Sequence, residues 1–267
     1  MLRGILILVS VAIVLGAMAW MPVSAADEAK TRTPQKIEVP TTQPAVEEMS
    51  RGITPALLAQ LNDDAWQVRE AATQRLLGDE SLTPEQVEQA YAAAGTPEQR
   101  HRLMVVGRHH FIRAMVAESF ADDGRGSLGL TQLGVAAGDV PGLDKPAIRV
   151  RGTFAGFPAY TRLQVGDLIV AMDGHFLVPT PQAQQQLATQ FQQLVIAKKP
   201  GDVVKLTLVR EGKTLEVATP LASMSGLTDM YDPQNGDLRE PYLGKWEAYR
   251  QKLEAMAPKP TAPREAK

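Results

Sequence analysis

Hydrophobic and polar positions divide the chain into stretches with different periods. Ile5 to Leu15 is a run of Ile, Leu, Val and Ala broken only by Ser10, and apolar residues continue through Trp20 to Met21. Arg3 supplies a positive start, and Val23-Ser24-Ala25 offers a cleavage site. Residues 1–25 therefore read as an export signal, with the mature chain beginning at Ala26 or Asp27. An uncleaved anchor is the alternative, because an apolar stretch of about 17 residues is the lower edge of a bilayer span. Residues 26–50 are rich in Pro, Thr, Glu and Gln without apolar periodicity, the pattern of a flexible linker.

Residues 51–120 carry a helical pattern. Thr54-Pro55, Thr83-Pro84 and Thr96-Pro97 each place a capping threonine before a proline at the first helical position, where its missing N–H costs nothing. Gln86 and Gln99 complete capping boxes. Ala65, Val68, Ala72 and Leu76, then Val87, Tyr91 and Ala94, recur at helical spacing. Leu57 to Leu77 resembles one HEAT-type helix pair, with Asp63-Asp64 as its second cap. A solenoid needs about three repeats to bury a core, so a small bundle is expected.

From Gly124 the pattern shifts to short β-rich runs punctuated by glycine. Ser127–Leu133, Ala147–Thr153, Leu168–Met172, Val203–Arg210 and Thr214–Thr219 read as strands, the last two joined by a hairpin turn at Glu211-Gly212-Lys213. A helix capped by Thr180 and started by Pro181 interrupts them, with Ala183, Leu187, Phe191 and Leu194 on one face. Ser223 to Asn235 reads as irregular. Pro241 to Met256 reads as a last helix carrying Trp246, Tyr249 and Leu253, and the proline-containing tail as disordered. The fold class is α+β and multidomain: a helical bundle (51–120), a β-rich domain with one long helix (124–222), and a C-terminal extension (223–267). The first two are expected to fold when expressed separately.

Composition narrows the function. The 267 residues include 28 basic and 30 acidic side chains, a net charge of -2, which gives no pull toward nucleic acid or an anionic membrane. Cysteine is absent, which excludes disulfides, thiolate metal sites and a cysteine nucleophile. An exported chain without disulfides suits a bacterial periplasm, or secretion, with no membrane span once the signal is cleaved.

Residues Arg125 to Ala222, just over a third of the chain, resemble a PDZ domain of the kind found in bacterial HtrA-type proteases. Arg125-Gly126-Ser127-Leu128-Gly129-Leu130 matches that family's carboxylate-binding loop and first strand. Phe157-Pro158-Ala159-Tyr160 leads into Leu163-Gln164-Val165-Gly166-Asp167-Leu168-Ile169-Val170, its short helix and following strand. Met172-Asp173-Gly174 matches the next turn, and the groove helix and the hairpin from Lys205 to Val217 complete the order. The chain departs from the pattern at Thr161-Arg162, where the family has Ala-Gly. Arginine in a left-handed helix end would cost roughly 1 kcal/mol, so that end is expected to be rebuilt.

The resemblance implies a peptide-binding groove. Backbone N–H groups of the Ser127, Leu128, Gly129 and Leu130 loop would hold a carboxylate, and an extended peptide would add to the open edge of the strand. Leu187 and Phe191 would line the pocket for the last side chain, or serve as core. HtrA-type proteases carry a Ser-His-Asp domain ahead of the PDZ domain, but here that space is helical and too short. No G-x-S-x-G occurs. His109-His110 reads as part of a solvated helix face beside Arg108 and Arg113, and no H-E-x-x-H is present. Asp63-Asp64 and Asp122-Asp123 read as caps or turns. No cofactor is implied.

The reading is a noncatalytic, exported scaffold or adaptor binding protein C-termini or extended peptides of envelope proteins. One alternative is an accessory subunit delivering clients to a separate envelope protease. Another is a structural unit whose groove is occupied.

Overall fold

The computed structural model describes residues 52–120, 124–177, 184–232 and 235–257; the signal, the linker, Asp122-Asp123, Thr180, Pro181, Ala183 and the proline-containing tail lie outside them. The chain is an α+β protein. Its N-terminal helices are α1 (Pro55–Gln60), α2 (Trp66–Gly78), α3 (Pro84–Ala93) and α4 (Pro97–Ser119). Their starts follow from the caps: Thr54, Thr83 and Thr96 accept the N–H of Leu57, Gln86 and Gln99, and the last two form complete capping boxes. Gln99 also donates to the Leu58 carbonyl at 2.8 Å, so a local cap doubles as a tie between α4 and α1.

Val87, Tyr91 and Ala94 are buried at the expected spacing. In α2, however, the buried positions are Ala72, Thr73, Leu76 and Leu77, while Ala65, Trp66 and Val68 are exposed. The periodicity is right, but among the described residues nothing covers the first turn of α2. Asp63 does act at this turn, accepting the Ala65 N–H at 2.9 Å.

The β-rich part contains β1 (Gly126–Ser127), β2 (Leu130–Val135), β3 (Ala147–Thr153), α5 (Ala159–Arg162), β4 (Leu168–Met172), β5 (His175–Phe176), α6 (Gln184–Ile196), β6 (Val203–Arg210), β7 (Lys213–Pro220), β8 (Ala222–Ser223) and α7 (Met224–Met230). An antiparallel sheet runs β2-β3-β4-β6-β7, with β5 folded onto β4, and β1 pairs with β8 apart from it. At the β6–β7 turn, Glu211 and Gly212 both have positive φ (51° and 76°) between the paired Arg210 and Lys213, which suits the right-handed twist of the strands. Ile148, Val150, Ile169, Leu206 and Leu208 pack against Leu187, Phe191 and Val195 of α6.

Two expectations are corrected here. The strand read as Ser127–Leu133 is broken at Leu128-Gly129, because Gly129 takes φ +71° and β1 turns away to pair with β8. The segment read as irregular holds α7, whose start is fixed by Ser223 Oγ accepting the Gly226 N–H at 2.8 Å.

A last helix, α8 (Tyr242–Met256), buries Trp246, Tyr249 and Leu253 against the N-terminal helices. Tyr249 stacks on Phe111 at 4.3 Å and donates to the Pro84 carbonyl at 3.0 Å. The same hydrophobic cluster takes in Phe154, Ala155 and Phe157 from the β-rich part and Met230, Tyr231 and Leu238 from the segment after it. Gly156 is the point of closest approach: a Cβ there would lie 2.5 Å from Ile112 and 2.9 Å from the Arg113 nitrogen of α4. Helical and β-rich parts thus share a core across the expected boundary at Gly124.

Candidate functional site

Among the described residues no strand pairs with the outer edge of β2. β2 ends the sheet, bonded to β3 on one side, and its other side faces α6. Between them lies a cavity of about 210 Å³, walled by Leu128, Leu130 and Gln132 on one side and by Phe191, Val195 and Ile196 on the other. Met224 and Leu227 of α7 also line it.

The loop before β2 is held by its neighbours. The Leu128 carbonyl accepts from the Ala159 N–H at 2.9 Å, and the Gly129 carbonyl from the Phe154 N–H at 3.0 Å. Buried Ser127 points its Oγ at the Gly129 N–H, 3.1 Å away. A Cβ on Gly129 would meet Phe157 at 2.0 Å, so the close approach as well as the positive φ demands glycine. Ser127, Leu128, Gly129 and Leu130 all line the cavity. One of the expected donors, however, already serves the Ser127 hydroxyl.

Phe191 lines the cavity and is also fully buried in the core behind it. Leu187, one turn earlier, is packed in the core and is not part of the cavity wall. The face of α6 that carries both residues is turned onto the sheet, and the cavity opens only from Phe191 onward. Val195, Ile196, Met224 and Leu227 were missed in the sequence. Val195 sits four residues after Phe191 on the same face, a signal that could have found it. Nothing local marks Met224 or Leu227. Gln132 adds a strap, its Nε2 donating to the Ala188 carbonyl of α6 at 3.1 Å.

The neighbouring motif residues are structural. Asp167, buried, accepts from Arg210 through both oxygens at 2.7 Å and from the Gln164 N–H at 2.8 Å. α5 ends without a left-handed residue: Leu163 is extended (φ -115°) and its N–H returns to the Ala159 carbonyl. Arg162, freed from that role, pairs with Glu80 at 2.6 Å and donates to the Ala218 carbonyl. The helix end is rebuilt as expected.

The histidine reading is corrected. His109 and His110 are not on a solvated face; both are buried where α4 meets the 154–160 segment and α2. His109 Nδ1 accepts from the Gly156 N–H at 2.9 Å, and His110 Nε2 lies 2.8 Å from the Leu76 carbonyl. A carbonyl only accepts, so the neutral ring carries its proton on Nε2, and His110 Nδ1 is left without a partner among the described residues. Burial pushes His109 down to about 3 and His110 down to about 4, so both rings are neutral near pH 7. Among the described residues no three His, Cys, Asp or Glu side chains gather as a metal site, and no helix is long and apolar enough to cross a membrane.

No family model matches the chain. No curated protein matches it either. Solved structures of the HtrA-type protease AlgW are similar over part of it. The form with a decapeptide is 19% identical, covering 44% of this chain and 30% of that one, with a TM-score of 0.29. The form with a tripeptide is 16% identical, covering 42% and 36%, with a TM-score of 0.30. The chain thus spans about a third of the length of those structures.

Proposed function

We propose that the chain is a noncatalytic peptide-binding protein of the cell envelope, exported to the periplasm or secreted. Its PDZ-type domain, residues 124–222, takes a protein C-terminus or an extended peptide onto the edge of β2. The observation that carries this reading is the β2 edge, unpaired among the described residues, facing α6 across an apolar cavity. An added strand would gain backbone hydrogen bonds there, and its side chain would enter the pocket at Phe191, Val195 and Ile196. Burying a Val or Leu contributes roughly 1.5–3 kcal/mol, and charge-assisted bonds to a carboxylate roughly 1.5–3 kcal/mol. Both are needed against the cost of ordering a peptide.

Fluorescence polarisation with a C-terminal peptide library, each peptide as acid and amide, tests this. Peptides ending in an apolar residue are expected to bind, and amidation to weaken them about ten- to a hundredfold. Ile196→Asp should abolish binding. It is a better probe than Phe191, whose replacement would put a charge in the core. Ser127→Ala releases the Gly129 N–H and should tighten acid peptides only. Equal affinity for acid and amide would leave internal strands as ligands.

One observation favours a second reading, in which the groove is a packing unit: the Gln132 strap already spans it. Absence of binding by both the unmodified chain and Gln132→Ala would select that reading.

A further inference from the structure

A second, larger cavity lies away from the β2 edge. It measures about 540 Å³, within the range of small-molecule sites and far above the voids of a packed interior. One wall is a single stripe of α4, with His109, Arg113, Val116, Ala117 and Phe120 recurring three and four residues apart. The turn between α2 and α3 forms a second wall through Leu77 and Leu82, and the β-rich part a third through Phe157 and Leu221.

Arg113 sets the chemistry of this space. Its guanidinium donates to the Leu82 carbonyl at 2.8 Å, and among the described residues no carboxylate lies within ion-pair distance of it. The two nearby acids act on it electrostatically but make their bonds to other groups. Glu80 pairs with Arg162 at 2.6 Å, and Asp79 accepts from the Ser81 N–H and hydroxyl. The cavity lining therefore carries two guanidinium groups against one carboxylate. Its two histidines are neutral near pH 7, and among the described residues Asp79 and Glu80 act on Arg113 only from beyond ion-pair distance, so no carboxylate bonds its guanidinium. A half-buried cation beside apolar walls is costly unless an anion meets it.

We propose that this cavity binds a small amphiphilic anion, an apolar body carrying one carboxylate, with the carboxylate on Arg113 and the body against Leu82, Val116, Phe120 and Leu221. The fork of the guanidinium suits a carboxylate through two parallel bonds. The site is independent of the groove on β2.

Titration calorimetry on the chain tests it, with decanoate as the probe below its micelle concentration and decanol as its uncharged counterpart. Decanoate is expected to bind at least tenfold more tightly than decanol. Arg113→Met should remove that preference and leave decanol unchanged. Ala117→Trp fills the cavity from an exposed position of α4 and should weaken both ligands tenfold or more. Ile196→Asp, in the groove, should change neither. Equal affinity of decanoate and decanol for the unmodified chain overturns the proposal, and this comparison needs no variant to fold. Failure of decanoate to bind overturns it too, as does binding that Ala117→Trp leaves intact, which marks adsorption elsewhere.

Discussion

Gly129 and the buried histidine pair show how much of this protein turns on single residues. Gly129→Ala would combine a left-handed backbone, costing about 1–2 kcal/mol, with a clash against Phe157 that cannot be relieved by a flexible side-chain end. Overpacking of that kind adds roughly 1–3 kcal/mol, so a loss of about 2–5 kcal/mol is expected in a urea melt. His109 and His110 predict a pH dependence. Their folded pKa values, about 3 and about 4, lie below the ordinary 6.5, so the unfolded chain binds more protons between those limits. Stability is then fully present above pH 6.5 and falls as the pH drops, by about 1.4 kcal/mol per unit for each ring. Glu85, Glu98 and Asp173 are also displaced, but downward from 4.5, 4.5 and 3.8, so their share of the pH dependence falls mainly at lower pH. Chemical melts at pH 7 and pH 5 should differ by roughly 3–4 kcal/mol. His109→Asn with His110→Gln, which keeps the acceptor toward Gly156 and the donor toward Leu76, should flatten that slope. A flat profile for the unmodified chain would contradict the neutral buried pair.

At the scale of elements, β2 and α6 are two sides of one groove, and Gln132 decides how much of it is open. Its bond to the Ala188 carbonyl must break before a strand can run the length of β2. A side-chain hydrogen bond contributes about 0.5–1.5 kcal/mol net. Gln132→Ala is therefore expected to tighten extended peptides by about three- to tenfold. Peptides short enough to fill only the pocket at Phe191 should change little. Polarisation titrations with a peptide series of increasing length would show the difference, and a uniform effect at all lengths would count against the strap.

For the whole molecule, the shared core changes what fragments can do. α8 supplies Trp246, Tyr249 and Leu253 to the N-terminal helices, and Phe154 and Phe157 come from the β-rich part. A fragment of residues 51–120 lacks all of these and is short enough to be marginal even with a complete core. It is expected to show no cooperative melt, whereas residues 51–257 should melt in one calorimetric transition. Gly156→Ala, which forces the 154–157 segment off α4, should lower that transition without splitting the groove residues. Two resolved transitions in the longer chain would restore the boundary at Gly124.

Where helices start, where the β6–β7 hairpin turns and which faces are apolar could be read along the chain. Each depends on a hydrogen bond or a period spanning a few residues: Thr83 with Gln86, Thr96 with Gln99, Glu211 with Gly212. The four loop residues from Ser127 to Leu130 were named from the resemblance of their motif, not from a local bond or period. What lies across the chain was not legible. The partners of His109 and His110 are 47 and 34 residues away, and Tyr249 bonds a carbonyl 165 residues before it. Leu187 and Phe191 share one helical face and both pack in the core, yet only Phe191 also reaches the cavity wall. Periodicity assigns a side chain to a face of its own element; only the element packed against that face decides whether it meets core, cavity or solvent.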